Sequence, residues 1–178
     1  MGELRDDLLL TIRDVPDFPK PGIIFKDITP VLGDAELYGR IIEHFADRYE
    51  SQSINAVCGI ESRGFIFGST LAYELDVPFV PIRKKGKLPA VTVSASYALE
   101  YGHDSVEMHR DALAAGDRVV IFDDLIATGG TARASTTLVE ALNAEVIEVG
   151  CVIELAFLNP RAKLDGYEVY SLVAYDGE

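Results

Sequence analysis

The chain has 178 residues, of which 48% are apolar and 25% charged, enough material for a buried core and incompatible with a wholly disordered chain. Lys and Arg number 16 against 29 Asp and Glu, a formal net charge of −13. Such acidity argues against a nucleic-acid or anionic-membrane binder, whose affinity comes mainly from clustered cations. Cys58 and Cys151 each lie inside an apolar run, far apart in sequence, and read as buried thiols of a reducing compartment rather than a disulfide framework or a zinc pair. The opening MGELRDDLLL has acids where a signal peptide has bases, and Asp6 stands where myristoylation needs Ser or Thr. No apolar run approaches the ~20 residues that span a bilayer. The expectation is one cytoplasmic domain, residues 1–178, with no nucleic-acid or membrane partner.

Residues 3–13 read as a short helix. The next stretch, DVPDFPKPGIIFKDITPVL (14–32), carries Pro16, Pro19, Pro21 and Pro30 and cannot be a regular helix. It is too apolar for a linker, so it is expected to lie on the main body. Residues 34–50 form a clear helix: Asp34 is a plausible N-cap, and Tyr38, Ile41, Ile42, Phe45 and Tyr49 share one face. His44 is expected at the solvent edge of that helix. Strands are expected at 54–60, 77–83, 118–124, 146–155 and 168–174, and helices at 64–76 and 131–142, with Asn143 as a left-handed cap. This alternation predicts an α/β fold, a mainly parallel central sheet with helices on both faces. Ligands then bind beyond the C-terminal strand ends, at 59–64, 83–87 and 123–131. Residues 84–117 form a long insertion at that edge, a lid or arm, in which VTVSASY alternates like one strand of a β-ribbon.

The sharpest motif is VVIFDDLIATGGTA (119–132), an apolar strand that ends in Asp123 and Asp124 and enters a helix through Ala127, Thr128, Gly129, Gly130 and Thr131. The glycines let the backbone approach an anion, and loop amides with the Thr128 and Thr131 hydroxyls make a phosphate cradle. Two carboxylates beside a phosphate must face something else: vicinal ribose hydroxyls or a Mg²⁺ ion both fit. Taken alone, the motif also fits a plain strand–turn–helix with acids at the positive helix end. In GIESRG (59–64) the two glycines have P-loop spacing, but Phe65 stands in place of the lysine, which excludes a nucleoside-triphosphate P-loop. A tight turn presenting Arg63 suits a pyrophosphate contact, or else a surface pair with Glu61. Arg83-Lys84-Lys85-Gly86-Lys87 puts four cations into five residues of an acidic chain, at a predicted strand end. Fixed cations there would stabilise a departing polyanion.

VVIFDDLIATGGT resembles the signature of type I phosphoribosyltransferases, which use 5-phosphoribosyl 1-pyrophosphate (PRPP). FPKPGIIFKDITPVL (18–32), GIESRGFIFG (59–68), IRKKGKLP (82–89) and SYALEYG (96–102) are similar to motifs of the adenine phosphoribosyltransferase family. The resemblance implies a type I phosphoribosyltransferase-like fold with an N-terminal hood (14–32) and a flexible lid loop (84–117). It implies transfer of the phosphoribosyl group from PRPP to adenine, giving AMP and pyrophosphate, with Mg²⁺ as cofactor and a homodimer as the assembly. By resemblance, loop 127–131 holds the 5-phosphate and Asp123 and Asp124 the ribose, touching Mg²⁺ mostly indirectly because PRPP carries it. Arg63, Arg83, Lys84 and Lys87 meet the pyrophosphate, with Arg63 and Lys87 counted as catalytic. Glu100 handles a purine proton, and Tyr101 and Ser96 are lid contacts.

Ala127 stands where the related 6-oxopurine enzymes hold an Asp, which favours adenine and puts the proton on Glu100. In the hood, Phe25 can stack on the base, backbone at Ile24 and Lys26 can read its amine edge, and Leu155 is the opposite wall. Lys26 departs from the Arg of many family members. Phe25 and Leu155 also fit core packing. His103 and His109 have no assigned role. The fold also serves as a PRPP or purine sensor in transcriptional regulators, but that reading needs a basic DNA-binding appendage that this sequence lacks; a change of purine base is a third reading.

Overall fold

The computed structural model describes residues 2–98 and 102–177. Helix α1 (Gly2–Thr11) leads into an antiparallel hairpin of β1 (Arg13–Pro16) and β2 (Ile24–Asp27), then a single helical turn, α2 (Thr29–Leu32). This is the proline-rich excursion. Gly22, at φ +88, turns the hairpin, and the Asp17 carboxylate accepts its amide at 2.8 Å. Arg13 donates to Asp27 at 2.5 and 3.0 Å across the strands. The Thr29 amide first, then Arg13, hold the Asp27 carboxyl at about 2.

Helix α3 (Ala35–Tyr49) follows its sequence pattern. Asp34 caps it by accepting from the Glu36 and Leu37 amides at 3.1 and 3.0 Å, while Leu37, Ile41, Ile42, Phe45 and Tyr49 are buried. Then come β3 (Ala56–Ile60), α4 (Gly64–Glu74), β4 (Phe79–Lys84), β5 (Thr92–Ala98), β6 (His103–His109), β7 (Arg118–Ile126), α5 (Gly130–Ala141), β8 (Glu145–Leu155) and β9 (Val169–Tyr175). The main sheet has the order β5-β6-β4-β3-β7-β8-β9. From β4 to β9 its pairs are parallel; β6 joins β4 antiparallel, and β5 joins β6. The insertion thus folds as a ribbon that extends the sheet.

Side-chain alternation along the strands feeds two cores. Val57, Val120 and Phe122 face α1, α3 and α4; Cys58, Val119 and Ile121 face α5. The Phe45 and Phe122 rings meet edge-on at 4.7 Å in the first core. Because β3 lies between β4 and β7, the chain reverses its direction of travel across the sheet there. The loops after β3, β4 and β7 therefore open side by side at the C-terminal edge, the crevice where open α/β sheets bind ligands.

His44 departs from the expected solvent edge. It is half-buried, with Nε2 2.6 Å from Tyr170 Oη and the rings stacked at 5.8 Å, because β9 brings Tyr170 onto α3. The Arg48 guanidinium lies 3.7 Å over the same ring and donates to buried Glu148, which also accepts from Tyr49 Oη at 2.6 Å. Burial first, then the Arg48 charge, hold the His44 imidazole below its ordinary 6.5. As pH falls through 6.5 the unfolded chain takes up this proton before the folded one does, so His44 contributes stability above that pH that is lost below it. Thermal melts between about pH 7.5 and about pH 5.5 are expected to show a smaller acid loss in His44→Gln than in the native protein. Equal losses would assign the acid sensitivity elsewhere.

Candidate active site

Strand β7 ends at Ile126, and α5 starts at Gly130 with no side-chain cap and with Gly129 at φ +76. Among the described residues, the amides of residues 127–132 donate to no protein acceptor. Uncapped helix amides beside an open loop form an anion site. Asp123, Ala127, Thr128, Gly129, Gly130 and Thr131 line a cavity of about 120 Å³, on the scale of a single phosphoryl group. The back of the loop is tightly packed: a Cβ on Gly129 would lie 2.7 Å from the Pro160 carbonyl oxygen. Arg161, beside Pro160, is pinned by two 2.8 Å bonds to buried Glu154, which also accepts from Ser171 at 2.7 Å.

The two acids have different partners. Asp123 Oδ1 accepts the Asp124 amide at 2.9 Å and lies 2.8 Å from where a Gly64 Cβ would stand, so only glycine fits at the start of α4. Burial, then the Asp124 carboxylate, push the Asp123 carboxyl well above the ordinary range. Asp124 is buried and accepts from Arg63 Nε at 2.5 Å. The diacid therefore presents less negative charge to the neighbouring anion cavity than two free carboxylates would.

Arg63, Arg83, Lys84 and Lys87 each have a carboxylate partner. Arg63 pairs with Asp124, not Glu61. Glu61 instead accepts Arg83 Nε at 2.8 Å and also holds Lys87 Nζ. Lys84 Nζ pairs with Asp104 and donates to Tyr97 Oη at 2.9 Å, both on the ribbon. Sequence reasoning missed Glu61 in this role, along with Asp104 and Tyr97, because these pairs form between separate loops and strands and leave no local spacing to read.

The hood stands over the same edge. The Phe25 ring packs edge-on against Phe18 at 5.1 Å and lies 5.8 Å from the Arg63 guanidinium. Ile24 and Phe25 are partly exposed. The Lys26 side chain is buried and engaged elsewhere, 2.8 Å from Asp14 and 4.3 Å over the Tyr175 ring, so only its backbone is left to face a ligand. Leu155, partly exposed at the end of β8, pairs in register with that same Tyr175, which brings it to the hood side of the cleft.

Glu100 and Tyr101 lie outside the described residues. Ser96 Oγ lies 2.9 Å from Ser105 Oγ across the ribbon. His103 is exposed, and His109 Nε2 accepts the Ala90 amide at 3.4 Å. Cys58 and Cys151 are buried, and burial pushes the Cys58 thiol up to about 12. Among the described residues no three His, Cys, Asp or Glu side chains form a metal cage. Asp123 and Asp124 stand at one edge of the cleft with two oxygens already engaged, Asp124 Oδ2 by Arg63 and Asp123 Oδ1 by the Asp124 amide, which leaves one oxygen on each for an ion carried in by a ligand.

The family model for the phosphoribosyl transferase domain matches residues 32–172. The adenine phosphoribosyltransferase of Caldanaerobacter subterraneus subsp. tengcongensis is 53% identical over 170 residues, 96% of this chain and 98% of that protein. The chain belongs to the adenine phosphoribosyltransferase family. The family's structures share its α/β fold. The crystal structure from Thermoanaerobacter pseudethanolicus superposes with a TM-score of 0.93 at 52% identity, covering 96% of this chain and 99% of that one. The Saccharomyces cerevisiae enzyme, crystallised with an imino-altritol bisphosphate and adenine, gives a TM-score of 0.92 at 41% identity, covering 97% and 100%.

The fit of Gly129 against Pro160 generates a test. Gly129→Ala adds both a steric clash and left-handed strain, a cost of about 1–3 kcal/mol. Calorimetry with ribose 5-phosphate is expected to show binding weakened about tenfold or more, while pyrophosphate binding changes less than about twofold.

Proposed function

We infer that this chain performs the family reaction, moving the 5-phosphoribosyl group of PRPP to N9 of adenine and releasing AMP and pyrophosphate, a purine-salvage step. The observation that carries the reading is the run of unpaired amides at 127–132 opening beside a diacid and within one cleft of Arg63, Arg83, Lys84 and Lys87. These are the groups a sugar carrying a terminal phosphate at one end and a pyrophosphate at the other requires.

In this reading, the amides and hydroxyls of loop 127–131 hold the 5-phosphate, and Asp123 and Asp124 hold the ribose. The bond from the anomeric carbon to the pyrophosphate oxygen breaks, and its electron pair leaves with the pyrophosphate. Positive charge builds on the ribose ring, while Arg63, Arg83, Lys84 and Lys87 stabilise the departing anion. Adenine N9 forms the new bond, and the proton that the ring must lose goes to Glu100. Mg²⁺ carried by PRPP, near Asp123 and Asp124, would neutralise part of the pyrophosphate charge. Phe25 and Leu155 would sandwich the base, with backbone at Ile24 and Lys26 at its amine edge. Ala127 has no acid to offer a 6-oxopurine, which supports adenine. Ser96 and Tyr101, the lid contacts that the family resemblance gives, would help to cover PRPP and exclude water.

We place the enzyme in the cytoplasm as a homodimer. Buried free thiols suit a reducing compartment, and exposed Ile66 and Tyr73 on α4 offer apolar surface to a second copy. Among the described residues no helix is long and apolar enough to cross a membrane. Light scattering tests the assembly.

Adenine, PRPP and Mg²⁺ mixed with the protein are expected to yield AMP; no AMP under any condition rejects the reading. In the same assay Glu100→Gln is expected to lower kcat by about 10²-fold or more, the worth of a positioned proton acceptor, with KM for PRPP nearly unchanged. An unaffected kcat would remove Glu100 from the chemistry.

A further inference from the structure

Glu61 belongs to the loop after β3, yet its carboxylate faces the turn after β4. It accepts Arg83 Nε at 2.8 Å and holds Lys87 Nζ, while Arg83 Nη1 donates to the Lys87 carbonyl at 3.2 Å. The Arg83 and Lys87 side chains thereby meet at one carboxylate, while the Glu107 carboxylate accepts the Gly86 amide of the same turn at 3.0 Å. Burial by itself would raise that carboxyl; Lys87, then Arg83, then the Lys84 amide outweigh it and hold it below the ordinary range. The layering is clear from exposure: the Glu61 side chain is 8% exposed, against 36% for Arg83 and 50% for Lys87. The acid is at the back and the two cations are in front of it. Among the described residues Arg83 Nη2 has no protein partner, and Lys87 Nζ has one carboxylate for its three protons. The donors left over are on the exposed side of the pair.

Resting on the function inferred above, we propose that Glu61 is a positioning residue for pyrophosphate: it holds Arg83 and Lys87 together, against their mutual repulsion, with their free donors turned to the leaving group. Without it, two like charges would stand on one short turn. The half-exposed lysine would then swing to solvent, and the entropy of bringing it back would fall on the binding step. A carboxylate on the ligand side would act oppositely, as a competing anion, so the sign of the effect of removing it separates the two arrangements.

The test is calorimetry of Glu61→Gln with pyrophosphate–Mg²⁺ and, separately, with ribose 5-phosphate, beside steady-state kinetics. Pyrophosphate binding is expected to weaken about tenfold and KM for PRPP to rise in parallel, with ribose 5-phosphate affinity within about twofold of native. Glu61→Asp is expected to restore part of the loss. In a Lys87→Met background the Glu61→Gln effect is expected to fall below about threefold, since one of the held groups is already gone. A general structural role would weaken both ligands together and would not depend on Lys87. Unchanged or tighter pyrophosphate binding in E61Q overturns the proposal, as does equal loss of both ligands. Should E61Q fail to fold, E61D decides: a selective loss of pyrophosphate affinity supports the proposal, and native affinity for both ligands overturns it. Native protein that forms no AMP refutes the parent reading and this one together. Native activity with an indifferent E61Q refutes this one alone.

Discussion

The start of α5 has no cap, and the rest of the cleft is arranged around that. An ordinary helix satisfies its first amides with a Ser, Thr, Asp or Asn side chain, as Asp34 does for α3. Here the chain uses glycine, gives the first amides no side-chain cap, and lets the backbone come close enough for a ligand to take them. Such a loop needs rigid support, because each exposed donor is useful only if it stays where the others are. The support is specific: Pro160 against Gly129 behind, Arg161 fixed to Glu154, and β7 inside the sheet between β3 and β8. An anion then replaces water on donors whose positions are already set, which is the condition under which such contacts are strongest.

The second constraint is charge. The chain as a whole is strongly acidic, with a formal net charge of −13, and its expected substrate is a polyanion. Long-range attraction cannot bring the two together at physiological salt, where screening sets in within about 8 Å. Local pairing has to do it. Arg63, Arg83, Lys84 and Lys87 converge on one edge, and each is held by a carboxylate from another loop or strand. The pairing prevents the cations from dispersing in the absence of ligand. Because guanidinium and ammonium groups carry several donors each, a single carboxylate does not exhaust them.

Much of this was legible in the sequence because it is local. The period of α3, its Asp34 cap, the alternation of strand and helix, and the run from Val119 to Ala132 all depend on neighbours within a few residues. The three phosphate-edge loops could be placed because strand ends in a parallel sheet share one side. What escaped depends on contacts between distant segments. Glu61 and Arg83 meet 22 residues apart, and His44 and Tyr170 meet 126 apart. No spacing rule links such positions; they are chosen by sheet order. The same holds for the ribbon, whose alternation was readable in VTVSASY while its attachment to β4 through Arg83–Glu107 and Lys84–Val106 was not. Lys26 is instructive in another way. Its place in the hood drew attention to the ligand, but a long cation next to an acid in the paired strand and an aromatic ring nearby is drawn to those instead.

The hood and the loop after β3 meet at Arg63. Its Nε holds Asp124, and its guanidinium lies 5.8 Å from the Phe25 ring, so one side chain borders the places expected for base, ribose and pyrophosphate. Guanidinium suits this position because it is planar enough to lie against a ring and forked enough to hold a carboxylate while keeping donors for a phosphate, which an ammonium cannot do at once. Gly64 next to it is equally constrained: any side chain there would strike the Asp123 carboxylate and the Phe122 carbonyl oxygen at 2.8 and 2.9 Å. The Arg-Gly pair thus fixes the distance between α4 and the end of β7. That distance in turn sets where the diacid stands relative to the uncapped amides of α5, so the spacing of the phosphate and pyrophosphate halves of the cleft is a property of packing between β3 and β7 rather than of any one loop.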